Sequence, residues 1–229
     1  MNVLNKSREY LFLLGVLTLP IYQTLNHWFF GAFVLLSFLS FFSVNHLISD
    51  FKLIGKYFLI GCAVFFILRL ITLLYTPDIK IGLKMLTRAL PFLLYPVAII
   101  SLKSQKNFNY IIFEKTIFWA LTIGCLITAV ICWGNVIINL ESNSIPENML
   151  FGWKKSGSFL TSILDLHPPY LGMLICGSIL FMFKEVFYNK NFSLFKQAII
   201  YFLIFFLLMF LFNITSRNTL FFLIIIALV

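Results

Sequence analysis

The feature that most constrains this chain is a series of long, nearly uncharged apolar runs separated by short polar links. A helix that crosses a bilayer needs about 20 mostly apolar residues. Such runs occupy residues 10–25, 28–48, 57–75, 85–102, 111–138, 168–187 and 197–214. In lipid only helices and closed barrels satisfy every backbone polar group, and these runs are continuous rather than alternating. The expected fold is therefore all-α: a polytopic transmembrane helical bundle of about seven full spans, forming one integral membrane domain over 1–229. An eighth run opens at Asn218 or Thr219 and reaches only Val229. It is too short to cross about 30 Å of hydrocarbon, so the chain is expected to be the N-terminal part of a longer multi-span protein.

Composition removes the soluble alternative. Hydrophobic residues make up 61% of the chain and charged residues 11%, against about 45–50% and about 25% in soluble domains. A soluble fold of this size leaves roughly a quarter to a third of its chain surface in water, which this much apolar surface does not permit. The net charge of +9 forms no basic face of the kind nucleic-acid binding requires; the cations sit in clusters between apolar runs, as flanking charges of membrane helices do. Nucleic acid is excluded as a partner, and membrane lipids are expected ones. Cys62, Cys125, Cys132 and Cys176 all fall inside apolar runs without a C-x-x-C pair, so they read as small buried hydrophobes. The start, Asn5-Lys6-Ser7-Arg8 before an apolar run, resembles a signal peptide without a small-x-small cleavage site, and further runs follow. A retained first helix is expected.

The links alternate in charge. With the N-terminus cytoplasmic, the inner segments hold Lys6, Arg8, Lys52, Lys56, Lys103, Lys106, Lys115, Lys184, Lys190 and Lys196. The outer ones hold Lys80, Lys84, Arg88, Lys154, Lys155 and Arg217. This agrees with the positive-inside rule. Two outer segments exceed simple turns. Residues 76–88 read as a short amphipathic helix at the interface, with Lys80, Lys84 and Arg88 on one face. Residues 139–167 form the longest polar stretch, an outer loop of a length that marks functional segments.

Four places can carry chemistry. Arg217, in Asn213-Ile-Thr-Ser-Arg-Asn218, stands between two apolar runs on the side that should be poor in Arg. It is either a snorkelling anchor or a guanidinium placed for bidentate binding of a lipid phosphate. Asp165 and His167 precede Pro168-Pro169-Tyr170 at the start of an apolar run. Proline suits a first helical turn, and a carboxylate beside a His orients it and raises its basicity; the alternative is an interfacial turn in which His167 bonds a backbone carbonyl. Arg88 with Lys84 and Lys80 can hold a lipid diphosphate or anchor on phospholipid head groups. Arg69 lies within an apolar run, where a charge usually faces a cavity or a partner. The sequence has no Asp-x-Asp pair, no His/Cys metal spacing, no Walker loop and no G-x-S-x-G elbow, so no metal or other cofactor is expected.

Three stretches together carry a resemblance. They are Leu73-Leu-Tyr-Thr-Pro-Asp78 followed by Leu90-Pro-Phe-Leu-Leu-Tyr-Pro96, then His167-Pro-Pro-Tyr170, then Thr215-Ser-Arg217 between two apolar runs. In their order and spacing the chain resembles the O-antigen ligase and O-antigen polymerase family, particularly forms seen in Bacteroidetes. The resemblance implies a metal-independent membrane glycosyltransferase. Such an enzyme moves a glycan from undecaprenyl diphosphate to a glycan or lipid A-core acceptor, in lipopolysaccharide or other surface-polysaccharide assembly at the periplasmic face of the inner membrane. It assigns the Ser-Arg arginine, here Arg217, to the diphosphate. Family members carry a further outer loop after that helix, beyond Val229. Two other classes compete: a transporter or flippase of lipid-linked oligosaccharide, and a non-catalytic component of an envelope assembly complex.

Overall fold

The computed structural model describes residues 2–41, 53–76, 78–103, 109–141, 160–161, 163–164, 166–188 and 192–214. Helices dominate them: α1 (Asn2–Thr18), α2 (Gln23–Phe41), α3 (Leu53–Thr72) continued by a 3-10 turn (Leu73–Tyr75), α4 (Ile79–Lys103), α5 (Tyr110–Glu141), α6 (Pro168–Tyr188) and α7 (Leu194–Asn213). Four stretches are long and apolar enough to cross a membrane: Ile79–Ile99 in α4, Tyr110–Ile138 in α5, Pro168–Tyr188 and Leu194–Asn213. Thr24–Leu39 and Leu59–Tyr75 are shorter apolar helices. Each of the seven apolar runs thus carries a helix, but among the described residues only four reach spanning length. α1 is the clearest shortfall, since its 17 residues extend about 25 Å and include Lys6, Arg8 and Glu9. The expected eighth run at 218–229 and most of the 139–167 loop lie outside the described residues.

The expected interfacial helix at 76–88 is not a separate element. It is the first half of α4, which runs unbroken from Ile79 to Lys103 through Pro91 and Pro96. Each proline withdraws one backbone donor from the ladder, yet no other break separates the cationic half from the apolar half.

The chain forms two compact units. One comprises Leu13–Trp28 with Ile112–Val229, the other Met1–Phe12 with Phe29–Ile111. The core of the first follows from three sequence stripes at helical spacing. α5 contributes Cys125, Ala129, Cys132 and Val136; α6 contributes Leu171, Ile175, Ile179, Met182 and Val186; α7 contributes Ile200, Ile204, Leu207 and Leu211. Small side chains on α5 matter because lipid is as apolar as leucine, so helices associate through close packing rather than hydrophobic transfer. Three of the four cysteines, Cys125, Cys132 and Cys176, serve as buried core residues here; Cys62 is half-buried. Trp133 meets Phe206 at 5.1 Å between ring centroids, and Phe118 stacks on Phe181 at 4.9 Å.

A pair of reversed dipeptides locks α5 to α6. Glu114-Lys115 on one antiparallel helix faces Lys184-Glu185 on the other, so both contacts join opposite charges. Lys115 Nζ lies 2.7 Å from Glu185, whose side chain is only 10% exposed; Lys184 Nζ lies 3.8 Å from Glu114 at an open edge. Lys115→Ala removes the cation facing a nearly buried carboxylate and is expected to cost about 1–3 kcal/mol. Lys184→Ala is expected to cost less than about 1 kcal/mol. Thermal unfolding in detergent checks both, and the exchange Lys115→Glu with Glu185→Lys should restore most of the loss.

In the second unit α3 and α4 pack against each other. Gly82 is buried where the hairpin closes, and a side chain there would meet Leu73 Cδ2 at 2.6 Å. Phe65 and Phe92 join across the two helices with centroids 5.0 Å apart. Phe12 packs edge-on against Phe30 and Phe33, at 5.6 and 5.1 Å, so α1 and α2 fold back on one another.

Candidate functional site

The α3–α4 hairpin brings together four of the residues singled out in the sequence. Phe65 and Phe92 are in ring contact, and the two helices run in opposite directions. One helical turn from each towards the connecting turn stand Arg69 (Phe65 plus four) and Arg88 (Phe92 minus four). Residues four apart share a helix face, so the two arginines occupy one level on one flank of the hairpin. Lys84 lies a further turn along α4 on that flank, and Lys80 a turn beyond it. All four are exposed.

Arg69 differs from its expected setting. α3 ends at Thr72, so Arg69 stands in its last turn and is exposed rather than facing a cavity. A cation there complements the negative end of the helix dipole. Its guanidinium carbon lies 5.4 Å from the Phe65 ring centroid, a cation–π contact of about 0.5–1 kcal/mol at an exposed site, which holds the group on the flank.

Among the described residues no carboxylate pairs with these cations. Asp78 is the only acidic residue between 53 and 103, and it serves as the cap of α4. Its Oδ1 accepts hydrogen bonds from the backbone N–H of Lys80 at 2.8 Å and of Ile81 at 3.3 Å, satisfying donors the helix start leaves open. The flank therefore presents two guanidinium groups and two ammonium groups between exposed apolar residues such as Leu68 and Phe92. Chemically it suits a multiply charged anion carried on an apolar chain: guanidinium binds phosphate oxygens in a bidentate fork, and the apolar surround suits acyl or prenyl chains.

His167 belongs to the other unit. Its carbonyl accepts hydrogen bonds from Tyr170 N–H at 3.0 Å and Leu171 N–H at 3.2 Å, so it is the residue from which α6 starts. Pro168 and Pro169 fill the first turn as their missing donors allow. The imidazole is exposed and makes no hydrogen bond to another described residue. Leu166 beside it is buried, fixing the backbone while leaving the ring in the open. Asp165 and Arg217 lie outside the described residues. Among the described residues no three His, Cys, Asp or Glu side chains converge.

Sequence reasoning missed a layer of buried hydroxyls in the first unit: Thr18, Thr122, Thr128 and Ser178. Thr122 and Ser178 donate back to carbonyls four residues earlier, Phe118 and Leu174. Thr128 instead donates to the Pro20 carbonyl, 2.7 Å away and 108 positions distant in sequence. The available signal was Pro20 itself, which breaks an apolar run that otherwise reads as one span.

The fold and these groups define an all-helical protein with helices able to cross a membrane and an exposed cationic flank on one hairpin. Comparison with protein families, with curated proteins and with solved structures finds no match to this chain.

Proposed function

We propose that this protein is a membrane glycosyltransferase of the ligase or polymerase type. It transfers a glycan from undecaprenyl diphosphate to a glycan or lipid A-core acceptor during surface-polysaccharide assembly in a bacterial inner membrane. The observation that carries the reading is the flank of Arg69, Lys84 and Arg88, cationic, exposed among apolar side chains and without an ion pair among the described residues. With the N-terminus cytoplasmic, we take α3, the shorter apolar helix, together with the four helices of spanning length, α4 to α7, as five crossings, and α1–α2 returns the chain to the side it left. This puts the α3–α4 turn, His167 and Arg217 on the periplasmic side.

In this reading a general base takes the proton of the acceptor hydroxyl. The hydroxyl oxygen then attacks the anomeric carbon, and the bond from that carbon to the diphosphate breaks. The leaving diphosphate gains negative charge, which Arg88, Lys84 and Arg69 stabilise; preorganised cations do this more in the transition state than in the ground state. Replacing Arg69, Lys84 and Arg88 together by alanine in the intact protein should abolish transfer while insertion and abundance stay normal. Transfer at the unaltered rate would refute the mechanism. A cysteine at 217 that fails to react with a membrane-impermeant thiol reagent from the periplasm would invert the sidedness.

A second reading, transport of a lipid-linked oligosaccharide, draws on the break between α1 and α2, since transporters place broken helices at their substrate sites. Flipping of a fluorescent lipid diphosphate in vesicles without any glycan transfer would select it.

A further inference from the structure

The connection between α1 and α2 ends in a place that neither a surface turn nor a loop should occupy. Leu19, Pro20 and Ile21 turn the chain, with Ile21 and Tyr22 N–H both donating to the Thr18 carbonyl at 3.0 and 2.9 Å. Thr18 and Pro20 are buried. The tip rests on α5 at two successive turns. A side chain at Gly124 would overlap the Leu17 carbonyl and meet Pro20 Cγ at 2.8 Å, and the Thr128 hydroxyl donates to the Pro20 carbonyl at 2.7 Å. On α5 the uncharged run extends from Thr116, just past Glu114-Lys115, to Ile138, so Gly124 and Thr128 sit at its middle.

We infer that α1–α2 is a re-entrant hairpin whose tip lies at the mid-depth of the bilayer, and not a pair of spanning helices. The inference rests on α5 crossing the membrane. The length of α1 agrees with it. Ten residues separate Arg8 from Thr18, about 15 Å along the axis, which is half of the about 30 Å hydrocarbon core. A tip at mid-depth thus puts Lys6, Arg8 and Glu9 at the membrane boundary. A tip at the far surface would bury Arg8 and Glu9 at the centre of the core, where charge is most expensive. The hydrogen bonding agrees too. Non-helical backbone at membrane depth persists only where protein or trapped water satisfies it, and here a threonine from the neighbouring helix supplies the donor that solvent would supply at a surface. Ser178 on α6, 3.6 Å from Cys125 Sγ, lies at the same level, so the tip joins a buried hydroxyl layer. The hairpin adds no crossing, and the sidedness of the later helices is unaffected.

The test is a depth measurement on the intact protein in lipid nanodiscs, in a background with the four native cysteines replaced by alanine. A bimane fluorophore is attached at Tyr22→Cys, a site 48% exposed, and quenched by lipids bearing a nitroxide near the acyl terminus or near the head group. Ile127→Cys at the middle of α5 and Ile111→Cys at its end calibrate the scale. The expected result is a deep-to-shallow quenching ratio above one at Tyr22 and Ile127, and below one at Ile111. A ratio below one at Tyr22 with Ile127 still above one overturns the re-entrant hairpin alone. A ratio below one at Ile127 overturns the crossing of α5 and the hairpin with it.

Discussion

On the proposed function, Arg88→Ala in the intact protein is expected to lower kcat/KM for glycan transfer about 100-fold, or about 2.7 kcal/mol of transition-state stabilisation, the size of effect seen when one preorganised donor to a developing anion is lost. Arg88→Lys keeps the charge and loses the bidentate fork, so its loss should be about tenfold. Arg69→Ala should behave as Arg88→Ala does. Because the two stand at one level of the hairpin and would share one diphosphate, the double variant should lose less than the product of the single losses. Abundance in the membrane should not change, since both side chains are exposed and neither forms an ion pair among the described residues. An in vitro transfer assay with purified lipid-linked glycan measures all four proteins. Wild-type rates for both single alanine variants would remove the flank from the reaction.

The second large effect is structural. Gly124→Val is expected to cost about 3 kcal/mol, at the upper end of typical overpacking penalties, because the obstacle is the backbone carbonyl of Leu17 and the ring of Pro20. Neither can rotate aside as a flexible side chain would. For a chain of this size that corresponds to a fall in Tm of about 10 °C. Gly134→Ala on the same helix meets nothing within 4 Å and should be neutral or stabilising by about 0.5–1 kcal/mol, as removal of a helical glycine usually is. Thermal unfolding of the two variants in one detergent separates them. Equal behaviour would mean that the α1–α2 tip does not rest on α5.

Much of this was legible from the chain. Residues 111–138, 168–187 and 197–214 were read as helices within a few residues of their ends, since a long uncharged run has no other way to satisfy its backbone in lipid. Pro168 marked the start of α6 for the same local reason. The reading of 76–88 as a separate interfacial helix failed because periodicity of charge reports a face, not a bend; nothing local distinguishes α4 continuing straight from α4 turning at Arg88. The setting of Arg69 was misjudged because an apolar run has no internal ruler. Only the end of α3 at Thr72 shows that the arginine occupies a last turn.

The sequence by itself determined that this is an all-helical chain with helices apolar enough to cross a membrane, and where α5, α6 and α7 begin and end. These follow from transfer of backbone and side chains between water and lipid, a cost each segment meets alone. The tertiary structure decided which cations share a flank, that Glu114-Lys115 clasps Lys184-Glu185, and that the Pro20 turn closes on Gly124 and Thr128. Those outcomes depend on the register between segments far apart in sequence, and register is set by packing and by hydrogen bonds that no segment can make on its own.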